Sequence, residues 1–369
     1  MENIILKIKI MVVFLFAAIL TSCLKEDDLK IPFETYVPKE MNDGWELSTP
    51  SKEGIDEAGL ENIYRYYHES RDLWQVRSLL VFRNNKLVAE SYTKDPAEIT
   101  KTVPIWSCTK QVTGILAGIA IEQGYIDDVN DPVQKYLPEE ISRHPDKGAI
   151  TIQNLLQMES GIAFESDGLN GGANQLLMQK PSGSLDFILG LPVFCSPGEQ
   201  FHYNDGDPQI ISAILQRQTG KTLKDWADEV LFSKINFRNY DWAVYKDGIT
   251  MGAFGISTTP REMARIGHLA LNNGYWNGQK VVSPDWIAEM TGSKVTVEQG
   301  GLSGAFGYFW WIDESRGIVF MWGKGGQFVF IKPGKNLIVV TTADPNADCT
   351  FEIDAALDVF DRIDTVVYN

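Results

Sequence analysis

The sequence predicts an α/β fold of the α+β type, an antiparallel sheet flanked by helices with a helical lobe inserted into it. Two strand-like runs, Ser78 to Phe82 and Leu87 to Tyr92, stand near the start around the turn pair Asn84-Asn85. Four more stand in the last quarter: Tyr308 to Ile312, Ile318 to Trp322, Phe328 to Ile331 and Leu337 to Thr342, split by glycine- or proline-bearing turns. The middle third between them reads as helices with long connections. Strands at both ends join most simply in one sheet. Residues of about 46–124 and 250–369 then form an α/β lobe, and about 125–249 the inserted helical lobe.

The chain opens with a processing signal. Lys7 and Lys9 precede the wholly apolar run Ile10 to Leu20, too short to span a bilayer, which takes about 20 residues. The run ends in Leu20-Thr21-Ser22-Cys23, which resembles the lipobox of bacterial lipoproteins. That resemblance implies a signal peptide over 1–22 and a diacylglycerol on the Cys23 thiol, so that the membrane is met only through a lipid anchor. Lys25-Glu26-Asp27-Asp28 resembles the charged tag that sends some lipoproteins to the outer face of the outer membrane. The expected place is therefore the cell envelope. Residues 23–45, polar and proline-containing, read as a tether.

A hydrophobic share of 44% with 22% charged residues is that of a core-forming protein. The net charge of -16 argues against nucleic acid, because no basic surface is left to neutralise phosphates. With Cys23 used, Cys108, Cys195 and Cys349 remain, an odd set that leaves at least one free thiol. There is no CxxC pair, and His68, His144, His202 and His268 are scattered. The sequence therefore calls for no metal and no cofactor.

Taken in order, the first helix is expected over Ile55 to Ser70, with Leu60, Ile63, Tyr64 and Tyr67 on one side. A second runs from Gln111 to Gly124, where Val112, Ile115, Leu116 and Ile119 make a core-facing stripe. Tyr125 to Glu140 is acidic and loop-like, and Thr151 to Met158 is a short helix capped by Thr151. Gly168 to Asn174 is too irregular for an element. Helices follow at Asn174 to Leu189, Pro208 to Thr219, Leu223 to Leu231, Pro260 to Leu271 and Pro284 to Met290, and a last one at Phe351 to Ile363.

Chemistry gathers at the start of the second helix. In Ser107-Cys108-Thr109-Lys110 the serine and lysine stand one turn apart on one face. A serine in a first turn also sits in the positive field of the helix N-terminus, which favours a developing oxyanion. The same Ser-x-x-Lys spacing recurs at Ser22 to Lys25 inside the signal segment, so the pattern needs context.

Two later stretches supply it: Tyr203 in Pro197-Gly198-Glu199-Gln200-Phe201-His202-Tyr203-Asn204-Asp205, and Gly323-Lys324-Gly325-Gly326-Gln327. In this order the three motifs resemble the serine hydrolases built on the class C β-lactamase and penicillin-binding-protein fold, from about residue 46 to the C-terminus. The stretches Ile150 to Gly161 and Gly252 to Pro260 support the likeness. The resemblance implies that Ser107 attacks a carbonyl to form an acyl-enzyme, with Lys110 or Tyr203 as the base. A lysine in a site with little water is expected to have a lowered pKa, and its charge in turn would favour the phenolate of a nearby tyrosine. Tyr203 would protonate the leaving group and then activate water. The third motif is expected on an edge strand, where the N–H of Gln327 would face that of Ser107 as an oxyanion hole. Such a donor is worth about 3–4 kcal/mol of transition-state stabilisation.

Two departures narrow the expectation. The family's Tyr-x-Asn carries Asp205 here, and its Lys-Thr-Gly carries Gly325 and Gly326 behind Lys324. An ionised aspartate offers no N–H donor but could pair with Lys110, and a glycine offers no hydroxyl. Both changes argue against efficient β-lactam hydrolysis, while Lys324 could still attract a carboxylate. His202 lacks a nucleophile-elbow partner, Cys108 reads as a buried small hydrophobe, and Tyr308 to Trp311 read as core. The expected activity is hydrolysis of a small ester or amide. A D-amino-acid-specific peptidase or weak β-lactamase, or a non-catalytic binding lipoprotein, are the alternatives.

Overall fold

The computed structural model describes residues 30–166, 183–299, 302–344 and 353–368. Cys23, the charged tag, Gly168 to Asn174 and Cys349 lie outside the described residues.

An eight-stranded antiparallel sheet is the frame. Strands β1 (Val76–Arg83) and β2 (Lys86–Tyr92) form a hairpin over Asn84 and Asn85. Both asparagines have left-handed backbones, with φ of 50° and 66°, which their short side chains tolerate. The small strands β3 (Val103–Pro104), β4 (Tyr240–Trp242), β5 (Ile256–Thr258), β6 (Tyr275–Trp276) and β7 (Gln279–Lys280) come next in the chain. The late strands are β8 (Val295–Gln299), β9 (Leu302–Phe306), β10 (Trp311–Asp313), β11 (Ile318–Gly323), β12 (Gln327–Lys332) and β13 (Leu337–Ala343). They join the first hairpin in the order β2-β1-β13-β12-β11-β10-β9-β8. The predicted union of N-terminal hairpin and C-terminal strands is the one formed, with Val81 opposite Val339.

The helices are α1 (Glu57–Glu69), α2 (Thr109–Glu122), α3 (Pro138–Arg143), α4 (Ile152–Leu156), α5 (Ser184–Leu189), α6 (Gly206–Thr219), α7 (Leu223–Ala227), α8 (Pro260–Leu271), α9 (Pro284–Thr291) and α10 (Ile353–Val366). Helices α3 to α7 all fall between the two sets of sheet strands in the chain. Thr151 caps α4 in a full capping box with Asn154. Helix α2 is more deeply placed than a one-sided stripe implies, because every residue from Thr109 to Ala120 is buried.

Several expectations are corrected. Pro138 to Glu140, the end of the stretch read as loop, instead open helix α3, with proline at its first position. The lobe boundary expected near residue 250 runs between paired strands, since β4 and β5 pair antiparallel across it. Strands β8 and β9 were not foreseen, and the run from Tyr308 becomes strand only at Trp311. Phe309 has a φ of 64° and its N–H bonds the Leu156 carbonyl at 3.1 Å, so tertiary contacts override its strand propensity.

The expected tether is also shorter than it looked. From Lys30 the chain packs on the domain: Ile31 N–H bonds Thr93 O at 2.8 Å, and Glu90 N–H bonds Tyr36 O at 2.8 Å. Phe33 and Tyr36 lie against Tyr64, and Trp45 is buried in the core. Asp43 bonds Arg261 at 2.8 Å, and its carbonyl accepts from Arg265 at 2.7 Å. Glu90 completes the cluster, taking Arg261 through both Nε (2.9 Å) and Nη2 (2.6 Å). Aromatic side chains and buried arginines needing partners pull this polar segment onto the fold. Glu90→Gln leaves the buried Arg261 short of its bidentate acid, so unfolding in urea should show a loss of about 3–5 kcal/mol.

Candidate active site

The site is built where α2 begins. Trp106 to Cys108 form one tight turn that runs straight into α2, and Ser107 lies half-buried in it. The turn is anchored from behind by the small sheet: Ile105 N–H bonds Ile256 O at 3.0 Å, and Ile256 N–H bonds Thr109 Oγ1 at 3.1 Å. Trp106, immediately before the serine, has a φ of 50°, an uncommon backbone for a bulky residue. Its ring stacks on Phe254 with centroids 6.4 Å apart, and the Lys324 ammonium lies 6.0 Å above it.

Lys110 is 1% exposed and makes three contacts. Its Nζ lies 2.9 Å from Ser107 Oγ, 2.5 Å from Asp205 Oδ1 and 3.1 Å from the Ala253 carbonyl. The Tyr203 phenol lies beside them, with Lys110 Nζ 5.0 Å from its ring centre. The Tyr203 ring packs on Trp311 at 5.3 Å and edge-on to Phe306 at 6.3 Å. Ser107, Lys110, Tyr203 and Asp205 thus form one cluster.

The electrostatics correct one expectation. Burial works to lower the Lys110 pKa, but the Asp205 carboxylate and the Tyr203 oxygen outweigh it, and the ammonium ends above an ordinary lysine. The lysine was expected to be lowered; the acid beside it reverses the sign. Burial raises Tyr203, Lys110 pulls it back and Asp205 adds to the rise, leaving the phenol above its usual value. Burial likewise pushes the Cys108 thiol up, in keeping with an inert packing role.

The third motif is placed beside the serine, though not on an edge strand. Gly323 ends β11 and Gln327 starts β12, both interior strands, with Gly325 and Gly326 turning at φ of 76° and 99°. The pairing of β11 with β10 stops at Phe320, so Met321 to Gly323 project past their neighbour as a local edge. Gly323 has no room for a side chain, since a Cβ there would lie 2.2 Å from the Ile105 carbonyl. The Gln327 carbonyl accepts from Cys108 Sγ at 3.3 Å, one residue from the serine. The Gln327 side chain faces away and bonds the Ala343 carbonyl at 2.8 Å. Lys324 is exposed at the tip of the hairpin.

Other candidates fall outside the cluster. The His202 ring faces Phe164 O (3.3 Å) and Phe194 instead. Asn204 caps α6, its Oδ1 taking the Asp207 N–H at 2.8 Å. Tyr308, Phe309 and Trp310 are core, and of that aromatic run Trp311 meets Tyr203. Sequence reasoning missed the Ala253 carbonyl and the Phe254 ring. Both sit in the Gly252 to Pro260 stretch, whose resemblance was the available signal. Among the described residues no cluster of His, Cys, Asp and Glu could hold a metal ion.

A fold of this topology has known counterparts. The family model described as Beta-lactamase matches residues 76–355, so the chain belongs to the β-lactamase family and is a hydrolytic enzyme. In sequence it is similar to 6-aminohexanoate-dimer hydrolase of Paenarthrobacter ureafaciens, with 26% identity over 283 residues, 71% of each chain. In structure it resembles the octameric penicillin-binding protein homologue from Pyrococcus abyssi, with a TM-score of 0.64, 17% identity, and 79% of this chain and 74% of that one covered. A class C β-lactamase superposes with a TM-score of 0.62 at 13% identity, covering 85% of this chain and 96% of that one.

Beside the cluster, Asp207 is fully buried in the first turn of α6, and burial pushes its carboxyl up to about 7 against the pull of Ser160 and Asn204. A carboxyl raised in the fold holds its proton longer than in the unfolded chain. Its stabilising contribution is complete below the unfolded value near 4 and is lost as pH rises towards 7. Stability at that group should fall by up to about 1.4 kcal/mol per pH unit across this window. Asp207→Asn should flatten the slope, as thermal melts at pH 4 to 7 would show.

Proposed function

We propose that the protein is a serine hydrolase that cleaves a small amide or ester through an acyl-enzyme on Ser107. The observation that carries this reading is the 2.9 Å approach of Lys110 Nζ to Ser107 Oγ, with the Tyr203 ring beside them, its centre 5.0 Å from Lys110 Nζ. An isolated serine hydroxyl is a poor nucleophile, and this arrangement gives its proton a path away. Attack forms the Oγ–carbon bond and places charge on the substrate oxygen. The N–H groups of Ser107 and Gln327 are the donors assigned to it, at the helix start and the hairpin beside it. Tyr203 passes a proton to the leaving nitrogen or oxygen, and water then releases the acyl group by the reverse route.

The relative from Paenarthrobacter supports an amide among the substrates, since its name is that of an aminohexanoate-dimer hydrolase. The half-buried rings of Tyr203 and Trp322, packed on the buried Trp311 at 5.3 and 5.1 Å, offer an apolar wall for a short methylene chain. The exposed Lys324 supplies a cation for a terminal carboxylate, as in 6-aminohexanoate itself. Asp205 and Gly325 weigh against β-lactams.

A fluorophosphonate probe should label the wild type and leave Ser107→Ala unlabelled, with turnover of a p-nitrophenyl ester reduced by about 10⁴-fold or more. Absence of a Ser107-dependent adduct sinks the reading. Short esters and the linear aminohexanoate dimer should be turned over faster than a chromogenic cephalosporin.

From the sequence we further propose that Cys23 carries a lipid and holds the protein in the cell envelope. Metabolic labelling with a fatty acid should mark the wild type; label retained in Cys23→Ala would remove the proposal.

A further inference from the structure

Position 205 departs from the family's Tyr-x-Asn pattern, and the acid found there is not turned towards solvent. Its Oδ1 meets Lys110 Nζ at 2.5 Å, with the two side chains 9% and 1% exposed. Its backbone N–H is held by Ser166 Oγ at 3.1 Å. Lys110 has three partners: the carboxylate, the Ala253 carbonyl and Ser107 Oγ. They match the three N–H bonds of an ammonium. A neutral amine could instead turn its lone pair to Ser107, but that would strip a nearly buried carboxylate of the ammonium beside it.

We propose that Asp205 is a positioning residue that clamps Lys110 as a cation, so that the proton lost on activating the site comes from Tyr203 and Asp205 sets the pH at which this happens. The inference rests on the Ser107 hydrolase reading. In it, Tyr203 first loses its proton to solvent. The phenolate then takes the Ser107 proton as the Oγ–carbon bond forms and the carbonyl π pair moves to oxygen. The tyrosine returns that proton to the leaving atom as its bond to carbon breaks. Lys110 keeps its charge throughout, facing the phenolate.

The groups around Lys110 come from several elements. Ser107 and Cys108 belong to its own turn, and Tyr203 and Asp205 to the segment leading into α6. Tyr245, buried in the loop after β4, feels the Asp205 charge. Asp207 is buried in the first turn of α6, and Lys324 stands outside, above Trp106. Asp205 is the acid that touches the lysine. Removing its charge takes a negative group from a coupled lysine–tyrosine pair, so the first proton should leave that pair at lower pH.

The test is the pH profile of kcat/KM for a p-nitrophenyl ester in the wild type, in Asp205→Asn and in a protein with 3-fluorotyrosine at position 203. The acid limb should move down by about 1–3 pH units in Asp205→Asn. It should also follow the lower pKa of the fluorinated phenol. A role in folding alone would change the amplitude and leave the limb in place. A limb that stays put in a folded Asp205→Asn, or ignores the fluorotyrosine, overturns the inference. Should Asp205→Asn fail to fold, the fluorotyrosine profile decides. A wild type with no Ser107-dependent turnover removes the hydrolase reading and this inference with it, a failure distinct from an unmoved limb.

Discussion

A lysine ammonium that is 1% exposed has to be neutralised where it stands, and much of this structure follows from how that is done at Lys110. The acceptors come from separate parts of the chain: Ser107 from its own turn, Asp205 from the segment before α6, and Ala253 from the approach to β5. Taking the charge out of water is costly, and it is offset only while all of these stay in register. The same contacts that stabilise the ammonium therefore fix the serine. Sheet, helices and loop meet at one atom.

The surroundings hold that point from two sides. The small sheet grips Ile105 and Thr109 across the turn, and the β11–β12 hairpin presses against it where Gly323 leaves no space for a Cβ. Trp106 keeps its left-handed backbone between these supports. An uncommon backbone next to a reactive side chain persists when its neighbours determine it, as Phe254 and Lys324 do here. The serine's position is thus set by rigid neighbours rather than by its own helix turn, which alone would allow fraying.

Local signals carried most of the fold. The Asn84-Asn85 turn, the Thr151 cap and the apolar periodicity of α2 each act over a few residues, and each was read from the chain. What escaped was decided at a distance. Strands β3 to β5 are too short for an alternation to register, and β9 has Ser303 and Gly304 at its centre, while the alternation Val295-Thr296-Val297-Glu298 of β8 was a signal that went unread. Phe309 reads as strand and is turned aside by the Leu156 carbonyl. Phe33, Tyr36 and Trp45 were visible in a polar stretch, but their cover on α1 and the sheet was not. In the site, motif spacing pointed to Ser107, Lys110 and Tyr203. The sign of the charge effect on Lys110 depends on an acid 95 positions away, which no local pattern reveals.

The joining of β1 to β13 also governs the order of events during biosynthesis. Leu79 to Phe82 are buried and pair with Thr341 to Ile338, which emerge from the ribosome long after them. Until then the first hairpin presents an apolar, unpaired flank, the kind of edge that seeks other strands. Closing so long a loop is slow compared with forming α1 or α2. A nascent or truncated chain is therefore exposed to misassociation until β13 is made. Holding it extended until β13 is available, as a chaperone does, would suit such a topology better than piecewise folding.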